Sequence, residues 1–145
     1  MHVRVKRLTT TATLPVYATP GAACFDLHAD YFKDVGGFQP VCTEAVSTGL
    51  AFEIPQGHVM LIFSRSGDGF KRDVRLSNCV GVIDSDYRGD VAVKLRSDNG
   101  ERVNVQPGDR IAQALILPVE QVNFVDSFEL SDTERGSGGF GSTGK

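Results

Sequence analysis

Short runs of alternating apolar and polar residues, each closed by a turn signal, constrain the fold of this chain more than any other feature. Alternation with a period of two places every second side chain on one face of an extended strand, and helical spacing is almost absent. The alternation occurs at Val3/Val5, Leu50/Phe52/Ile54, Val91/Val93/Leu95 and Val103/Val105. The pattern predicts an all-β fold of many short strands.

Two continuous apolar runs, over His58–Phe63 and residues 111–117, predict strands that are more fully buried. Turn signals separate the strand patterns at residues 20–21, 36–37, 55–57, 98–100 and 107–109. Many short strands at this spacing are typical of a sandwich or jelly roll, with at most one short helix, near residues 68–74. Because the chain has 145 residues and no internal repeat, we expect a single domain.

Charge and cysteine content exclude several classes of protein. The chain has 15 Lys and Arg against 18 Asp and Glu, a net charge of −3, which argues against binding the backbone of DNA or RNA. A phosphate-bearing ligand must therefore be small and held by a local cluster. Cys24, Cys42 and Cys79 are an odd number without a CxxC pair, so we expect small buried hydrophobes in a reducing, intracellular compartment. No apolar run has the length of a signal peptide or a membrane span.

The segment Ser64-Arg65-Ser66-Gly67, directly after an apolar run, has the chemistry of a phosphate site. Arginine offers a forked and permanently charged donor, serine a hydroxyl, and glycine a backbone N–H that a ligand can approach closely. The alternative is an arginine at a strand edge beside a turn. The spacing of a Walker loop is absent.

Residues 78–89 predict a strand–turn–strand hairpin that ends in two carboxylates, a tyrosine and a glycine. Backbone groups of such a hairpin could bind the edge of a flat ligand, and the Asn78 amide offers a further donor and acceptor. Asp84, at the end of the apolar strand, is the candidate general base, held and partly desolvated, whereas Asp86 is expected to face solvent. The alternative is an acidic loop in which Tyr87 caps the core.

Two further features are unusual for a β-sandwich. Gln113 lies inside an apolar run, where a buried amide needs partners; a glutamine satisfied by backbone groups is the alternative. Residues 135–145 contain five glycines together with Arg135 and Phe140, which a plain linker would not need. Such a segment can become ordered around a phosphate, or it can be a frayed tail.

These segments resemble, in order and in spacing, the five motifs of the all-β dUTP diphosphatase (dUTPase) family. The matching segments are residues 22–27, 64–67, 78–89, 108–113 and 135–144. The resemblance covers nearly the whole chain and departs locally from the family pattern at Cys24, Ser64, Asp68-Gly69 and Ser77. These departures bear on the loop after Ser66 and on the packing behind Asp26.

The resemblance implies a distorted jelly-roll β-barrel or sandwich that assembles as a homotrimer with three active sites at subunit interfaces. Residues 1–132 would form the jelly-roll domain, and residues 133–145 a mobile, glycine-rich arm that closes over the active site. The implied reaction is hydrolysis of dUTP to dUMP and pyrophosphate, which keeps uracil out of DNA and supplies dUMP for thymidylate synthesis. Mg²⁺ would be held by the substrate phosphates and water, without protein ligands.

The resemblance also assigns roles to individual residues. Asp84 would activate the attacking water, and Asp26 would support the geometry of the site. The implied phosphate-binding residues are Arg65, Ser66, Gly67, Gln113, Arg135, Ser142 and Thr143. The implied residues for uracil and deoxyribose are Asn78, Gly81, Val82, Ile83, Tyr87 and Phe140, with Tyr87 packed on the sugar and Phe140 stacked on the base.

Three other interpretations compete with this one. A dCTP deaminase, or its bifunctional form, shares the fold but is longer and needs an extra carboxylate that this sequence does not place. A nucleotide-sensing regulatory protein, as proposed for some phage-type dUTPases, would bind a protein partner, although no partner is inferred from this sequence. A plain β-sandwich binding module is the third. The sequence is compatible with a bacterial, viral or eukaryotic source.

Overall fold

The computed structural model describes residues 1–33 and 43–142, which contain ten strands and one helix. The elements are β1 (Arg4–Arg7), β2 (Phe25–His28), β3 (Tyr31–Phe32), β4 (Thr43–Ser47), β5 (Leu50–Glu53), β6 (His58–Phe63), α1 (Ser66–Arg72), β7 (Val74–Leu76), β8 (Val80–Ile83), β9 (Ala92–Ser97) and β10 (Arg110–Pro118). The all-β prediction is confirmed, and the predicted strand His58–Phe63 has the bounds of β6. The turn signal at residues 36–37 lies outside the described residues.

Two four-stranded antiparallel sheets enclose the core. Their strand orders are β2-β10-β6-β8 and β3-β4-β9-β7, and β1 pairs with β5 in a separate ribbon. Because β7, β8 and β9 alternate between the two sheets, the chain crosses the sandwich repeatedly, as in a jelly roll. Both sheets contribute fully buried side chains, Leu27, Met60 and Ile62 from one, and Val46 and Leu76 from the other.

The predicted short helix is present and begins two residues earlier than expected, at Ser66. Asp68 lies in its first turn and Arg72 in its last, so both charges complement the helix dipole, and their side chains form an ion pair at 3.2 Å. The helix ends at Asp73, which adopts a left-handed conformation and donates its N–H to the Asp68 carbonyl. No side chain of α1 is buried, so the helix lies on the surface beside the end of β6.

Val103 and Val105 are buried as the alternation predicted, but they do not belong to a strand. Neighbouring backbone groups bond to side chains instead of a strand ladder. The Gln106 N–H donates to the Asp109 carboxylate at 2.8 Å, and Arg72 donates to the Asn104 carbonyl. The alternation therefore predicted the burial of these side chains correctly, but it predicted a paired strand where none forms.

Residues 78–89 do not form the predicted paired hairpin. β8 pairs with β6, whereas the strands before and after it, β7 and β9, belong to the opposite sheet. The turn from Asp84 to Tyr87, closed by a 3.2 Å hydrogen bond from the Tyr87 N–H to the Asp84 carbonyl, leads the chain across the sandwich. The crossing is explained by β9, whose Val93 and Leu95 side chains are buried in the common core.

The expectation of buried cysteines is wrong for Cys79, which is exposed in the turn between β7 and β8 with a φ of 65°. Cys24 is half-buried, and both thiols are free. Burial raises the pKa of the Cys24 thiol, and the nearby Asp26 carboxylate acts in the same direction. Cys42 lies outside the described residues. Over the described ranges, the structure contains no helix that is long and apolar enough to cross a membrane.

Candidate active site

Two adjoining cavities lie beside β8 and share Val82, Ile83 and Ala92 in their walls. The first, of about 380 Å³, is also lined by Asn78 and Gly81. The second cavity, of about 280 Å³, is also lined by Lys33, Asp84, Tyr87 and Asp90. The structure thus brings the predicted base- and sugar-binding residues of the 78–89 segment together in two cavities beside β8.

The position of β8 at the edge of its sheet makes its backbone available to a ligand. Within the described part of the chain, no strand pairs with β8 on the side away from β6, so its outward N–H and C=O groups lack ladder partners. Gly81 permits the close approach of β8 to β6, because a Cβ at that position would lie 3.1 Å from the Ile62 Cβ. An edge strand of this kind can bind the polar edge of a planar base by hydrogen bonds.

Asp84 and Asp86 are both exposed in the single chain. For Asp86 this confirms the prediction. For Asp84 the expected partial desolvation is not provided by its own chain, because the carboxylate lies on an open turn at the end of β8. Any desolvation of Asp84 must come from a ligand or from another subunit.

A second cluster surrounds Arg65 and joins three of the sequence segments. The Arg65 guanidinium lies 3.6 Å from the Asp26 carboxylate and donates to the Arg110 carbonyl at 3.1 Å. Asp26 also pairs with the Arg110 side chain at 3.2 Å. Gln113, which is opposite Asp26 in the β2–β10 ladder, donates its amide to the Ser64 carbonyl at 3.0 Å. The amide of Gln113 is therefore satisfied by a backbone group, while its position adjoins the predicted phosphate site.

Ser66 and Gly67 lie in the first turn of α1, where helical backbone N–H groups have no partner within the helix. Asp68, one of the departures from the family pattern, forms a 3.1 Å ion pair with Arg65 in addition to its pair with Arg72. The loop after Ser66 is therefore a helical turn stabilised by two ion pairs. The sequence signal for this arrangement was the spacing of Asp68 to the two arginines, three and four residues away.

His28, at the end of β2, lies close enough to this cluster to respond to its charges. Burial lowers the pKa of its imidazole, the Asp26 carboxylate opposes that shift, and Arg110 and Arg65 reinforce it. The His28 imidazole therefore loses its proton more readily than a free histidine. The positive charge of the cluster comes from the guanidinium groups, which favours an anionic ligand.

The two clusters of one chain lie at opposite ends of the β6–β8 pair. Phe63 is opposite Val80 and Met60 is opposite Ile83, so Arg65 follows one end of the pair and Asp84 follows the other. β8 alone spans about 10 Å, given a rise of about 3.4 Å per residue. Arg65 and Asp84 of one chain therefore lie at opposite ends of this strand pair, in separate clusters.

The C-terminal segment forms turns of its own. Arg135 donates to the Gly138 carbonyl at 2.8 Å, and the Ser142 N–H donates to the Gly139 carbonyl at 3.1 Å. Phe140 is fully exposed, with a φ of 48°, so its ring is free to pack on another surface. Thr143 lies outside the described residues. The described tail does not bring Arg135, Phe140 or Ser142 into the walls of the two β8 cavities.

Lys33 and Asp90 line the second cavity but were not singled out in the sequence. The predicted hairpin segment ends at Gly89, one residue before Asp90, and Lys33 follows β3 in a region without a recognisable motif. Their side chains form an ion pair at 3.2 Å across 57 positions of sequence. Only the tertiary structure brings them to the site.

Comparisons with known proteins agree on one family. A family model described as dUTPase matches residues 10–144. Deoxyuridine 5'-triphosphate nucleotidohydrolase from Nautilia profundicola is 46% identical over 145 residues, covering 100% of both chains. The Hydrogenobaculum sp. protein of the same name is 44% identical over 144 residues, covering 99% of both chains. Among solved structures, the dUTPase of Staphylococcus bacteriophage 80alpha with dUPNHPP has a TM-score of 0.84 at 26% identity, with 99% of both chains covered.

Proposed function

The chain belongs to the dUTPase family, and on that premise we propose that it hydrolyses dUTP to dUMP and pyrophosphate. The observation that carries the proposal is the pair of cavities along the free edge of β8, which combine an amide and open backbone groups with a carboxylate and a tyrosine. A base, a sugar and the first phosphate would occupy them in that order. In the cell, this reaction would keep uracil out of DNA and supply dUMP for thymidylate synthesis.

Recognition of the nucleoside follows from the two cavities. The Asn78 amide and the backbone of Gly81, Val82 and Ile83 would bind the polar edge of uracil, and the narrow space would exclude a 5-methyl group. Tyr87 would pack against the deoxyribose where a 2'-hydroxyl would otherwise lie. A site built in this way rejects misfit nucleotides strongly, because they leave buried polar groups without partners.

Asp84 would act as the general base. It would accept a proton from a water molecule whose oxygen bonds to the α-phosphorus, while the bond to the bridging oxygen breaks and pyrophosphate leaves with the electron pair. Mg²⁺ would be held by the substrate phosphates and water, without protein ligands, as the family resemblance implies. When bound to the phosphates, Mg²⁺ would supply positive charge that stabilises the leaving pyrophosphate.

Assembly as a homotrimer would complete each site from two chains. It would bring Arg65, Ser66 and Gly67 of one subunit to the phosphates of a nucleotide held at β8 of its neighbour, which explains why these clusters lie apart in one chain. An apolar stripe on the segment after β10 supports association, because its five side chains are largely exposed in the single chain. The stripe consists of Val122, Phe124, Val125, Phe128 and Leu130.

The arm, residues 133–145, would close over the bound nucleotide. Arg135, Ser142 and Thr143 would contact the γ-phosphate, and Phe140 would stack on the uracil. The full exposure of the Phe140 ring supports this role, because an aromatic side chain left in water gains from covering a base. Closure would also separate the reacting phosphate and its attacking water from bulk solvent.

Incubation of the protein with Mg²⁺ and dUTP, UTP, dTTP or dCTP tests the proposed activity. We expect pyrophosphate release from dUTP, with kcat/KM at least about 10³-fold above that for the other three nucleotides. Similar cleavage of all four nucleotides would contradict the role of the β8 cavities. Ammonia release from dCTP would identify a deaminase, and tight dUTP binding without cleavage would favour a regulatory protein.

Light scattering after gel filtration tests the assembly. We expect a mass three times that of the 15.6 kDa chain. Changing Phe124 and Phe128 together to serine should shift the protein towards the monomer, because about 3 to 6 kcal/mol of apolar burial per subunit is lost. Phe70→Ser is the matched control, since this equally exposed ring lies on α1, outside the stripe. A fully active monomer would contradict the two-chain site.

A further inference from the structure

The Asp90 carboxylate is contacted by three side chains, although the proposed function gives Asp90 no role. Ser47 donates its hydroxyl to both carboxylate oxygens, at 2.7 and 2.8 Å, and the Tyr31 hydroxyl and the Lys33 ammonium lie 3.1 and 3.2 Å away. Ser47 is completely buried, so the main donor is itself fixed by the core. The three partners come from β3, β4 and the residue after β3, all on the sheet opposite to β8.

The backbone around Asp90 is fixed to the same part of the scaffold. The neighbouring Val91 accepts a hydrogen bond from the Thr48 N–H at 3.0 Å and donates to the Leu50 carbonyl at 2.9 Å. The main-chain carbonyl of Asp90 accepts a hydrogen bond from the Tyr87 hydroxyl at 3.0 Å. These bonds hold the backbone of residues 90–91 against the buried turn between β4 and β5, and with it the main-chain carbonyl that the Tyr87 hydroxyl contacts.

The orientation of Tyr87 depends on this connection. Its ring lies against Gly89, where any Cβ would collide with the phenol, and 43% of the residue is exposed. The hydrogen bond to Asp90 therefore fixes the hydroxyl end of a ring that is otherwise open to solvent. Lys33 and Asp90 also line the cavity that contains Asp84 and Tyr87, so the anchor adjoins the sugar end of the site.

We propose that Asp90, gripped by Ser47 and Lys33, is the positioning residue that fixes the Tyr87 ring and thereby sets discrimination between deoxyribose and ribose. The inference deepens the proposed function and depends on its assignment of Tyr87 to the sugar. A ring fixed at both its glycine-facing side and its hydroxyl cannot move away from a 2'-hydroxyl. Without the carboxylate contacts, the backbone at Asp90 is free to shift, and the ring that is bound to its main-chain carbonyl can move outwards with it and admit the larger sugar.

Three variants test the anchor. Asp90→Ala removes all carboxylate contacts, Ser47→Ala removes the buried donor, and Asp90→Asn keeps an acceptor for Ser47 while removing the charge that pairs with Lys33. We expect the ratio of kcat/KM for dUTP over UTP to fall by about tenfold or more in Asp90→Ala and Ser47→Ala, and by less in Asp90→Asn. The thermal midpoint of each variant identifies any general loss of structure.

Asp98→Asn is the matched control. Like Asp90, Asp98 has a carboxylate held by other side chains, in its case Arg75 at 2.6 Å and Arg96 at 3.3 Å. Unlike Asp90, it does not line either cavity beside β8. We expect the control to keep the wild-type ratio. An unchanged ratio in folded Asp90 and Ser47 variants, or the same change in Asp98→Asn, overturns the proposal. If Asp90→Ala does not fold, Asp90→Asn and Tyr31→Phe decide it by the same ratio.

Binding measurements separate this inference from the proposed function. The affinities of each variant for dUMP and UMP, measured by calorimetry, report sugar discrimination without any hydrolysis. If the wild-type protein prefers dUMP but cleaves no dUTP, the proposed function fails while the anchor can still be judged from the variants. If the wild-type protein binds dUMP and UMP equally, the sugar-sensing role of Tyr87 and its anchor is wrong.

Discussion

Asp84→Asn is expected to slow dUTP hydrolysis by about 10²- to 10⁴-fold while leaving nucleotide affinity largely unchanged. The substitution replaces the proton acceptor by an amide of nearly the same shape, so the attacking water loses its base and little contact area changes. Pre-steady-state turnover gives the rate, and calorimetry with a non-hydrolysable imido analogue of dUTP gives the affinity. The two measurements together separate chemistry from binding.

Asp86→Asn is the control for this prediction. Asp86 lies in the same turn, two residues away, is also exposed, and has no assigned role in the reaction. We expect its rate to remain within about twofold of the wild type, as for most exposed surface substitutions. Equal losses of rate and affinity in Asp84→Asn, or equal loss of rate in both variants, would show that Asp84 is not the base.

Deletion of residues 135–145 is expected to reduce kcat/KM for dUTP by about 100-fold or more without changing the mass of the assembly. Stacking of an aromatic ring on a base contributes about 1 to 3 kcal/mol, and the charge-assisted contacts of Arg135 to phosphate add to this. The apolar stripe that supports association ends at Leu130, before the deleted segment. Steady-state kinetics and light scattering on the same preparation provide both readouts.

Point variants divide the loss between the two assigned side chains. Phe140→Ala should account for the stacking and Arg135→Ala for the contact to the γ-phosphate, whereas Ser137→Ala, in the same segment, should be near neutral. A truncated protein with an unimpaired rate would show that the arm takes no part in catalysis. Loss of the trimer on truncation would place the arm in assembly instead.

Much of this structure could be predicted from local sequence patterns. Period-two alternation and continuous apolar runs identified most strands, because burial of alternate side chains is encoded residue by residue. Val103 and Val105 show where the pattern fails: they are buried, yet their segment bonds to side chains and joins no ladder. The 78–89 segment shows the same limit, since its strand pairs with β6 and no hairpin forms.

The sequence by itself determined the all-β class and the chemical groups of the site, because side-chain type and short-range spacing are local properties. Strand partners, sheet order and the distance between Arg65 and Asp84 were decided only by the tertiary structure, since these depend on which distant segments share a core. Asp90 illustrates the difference. Its contacts to Ser47 and Lys33 join positions 43 and 57 residues apart, and no local pattern encodes a hydrogen bond between segments that only the pairing of β3, β4 and β9 in one sheet brings together.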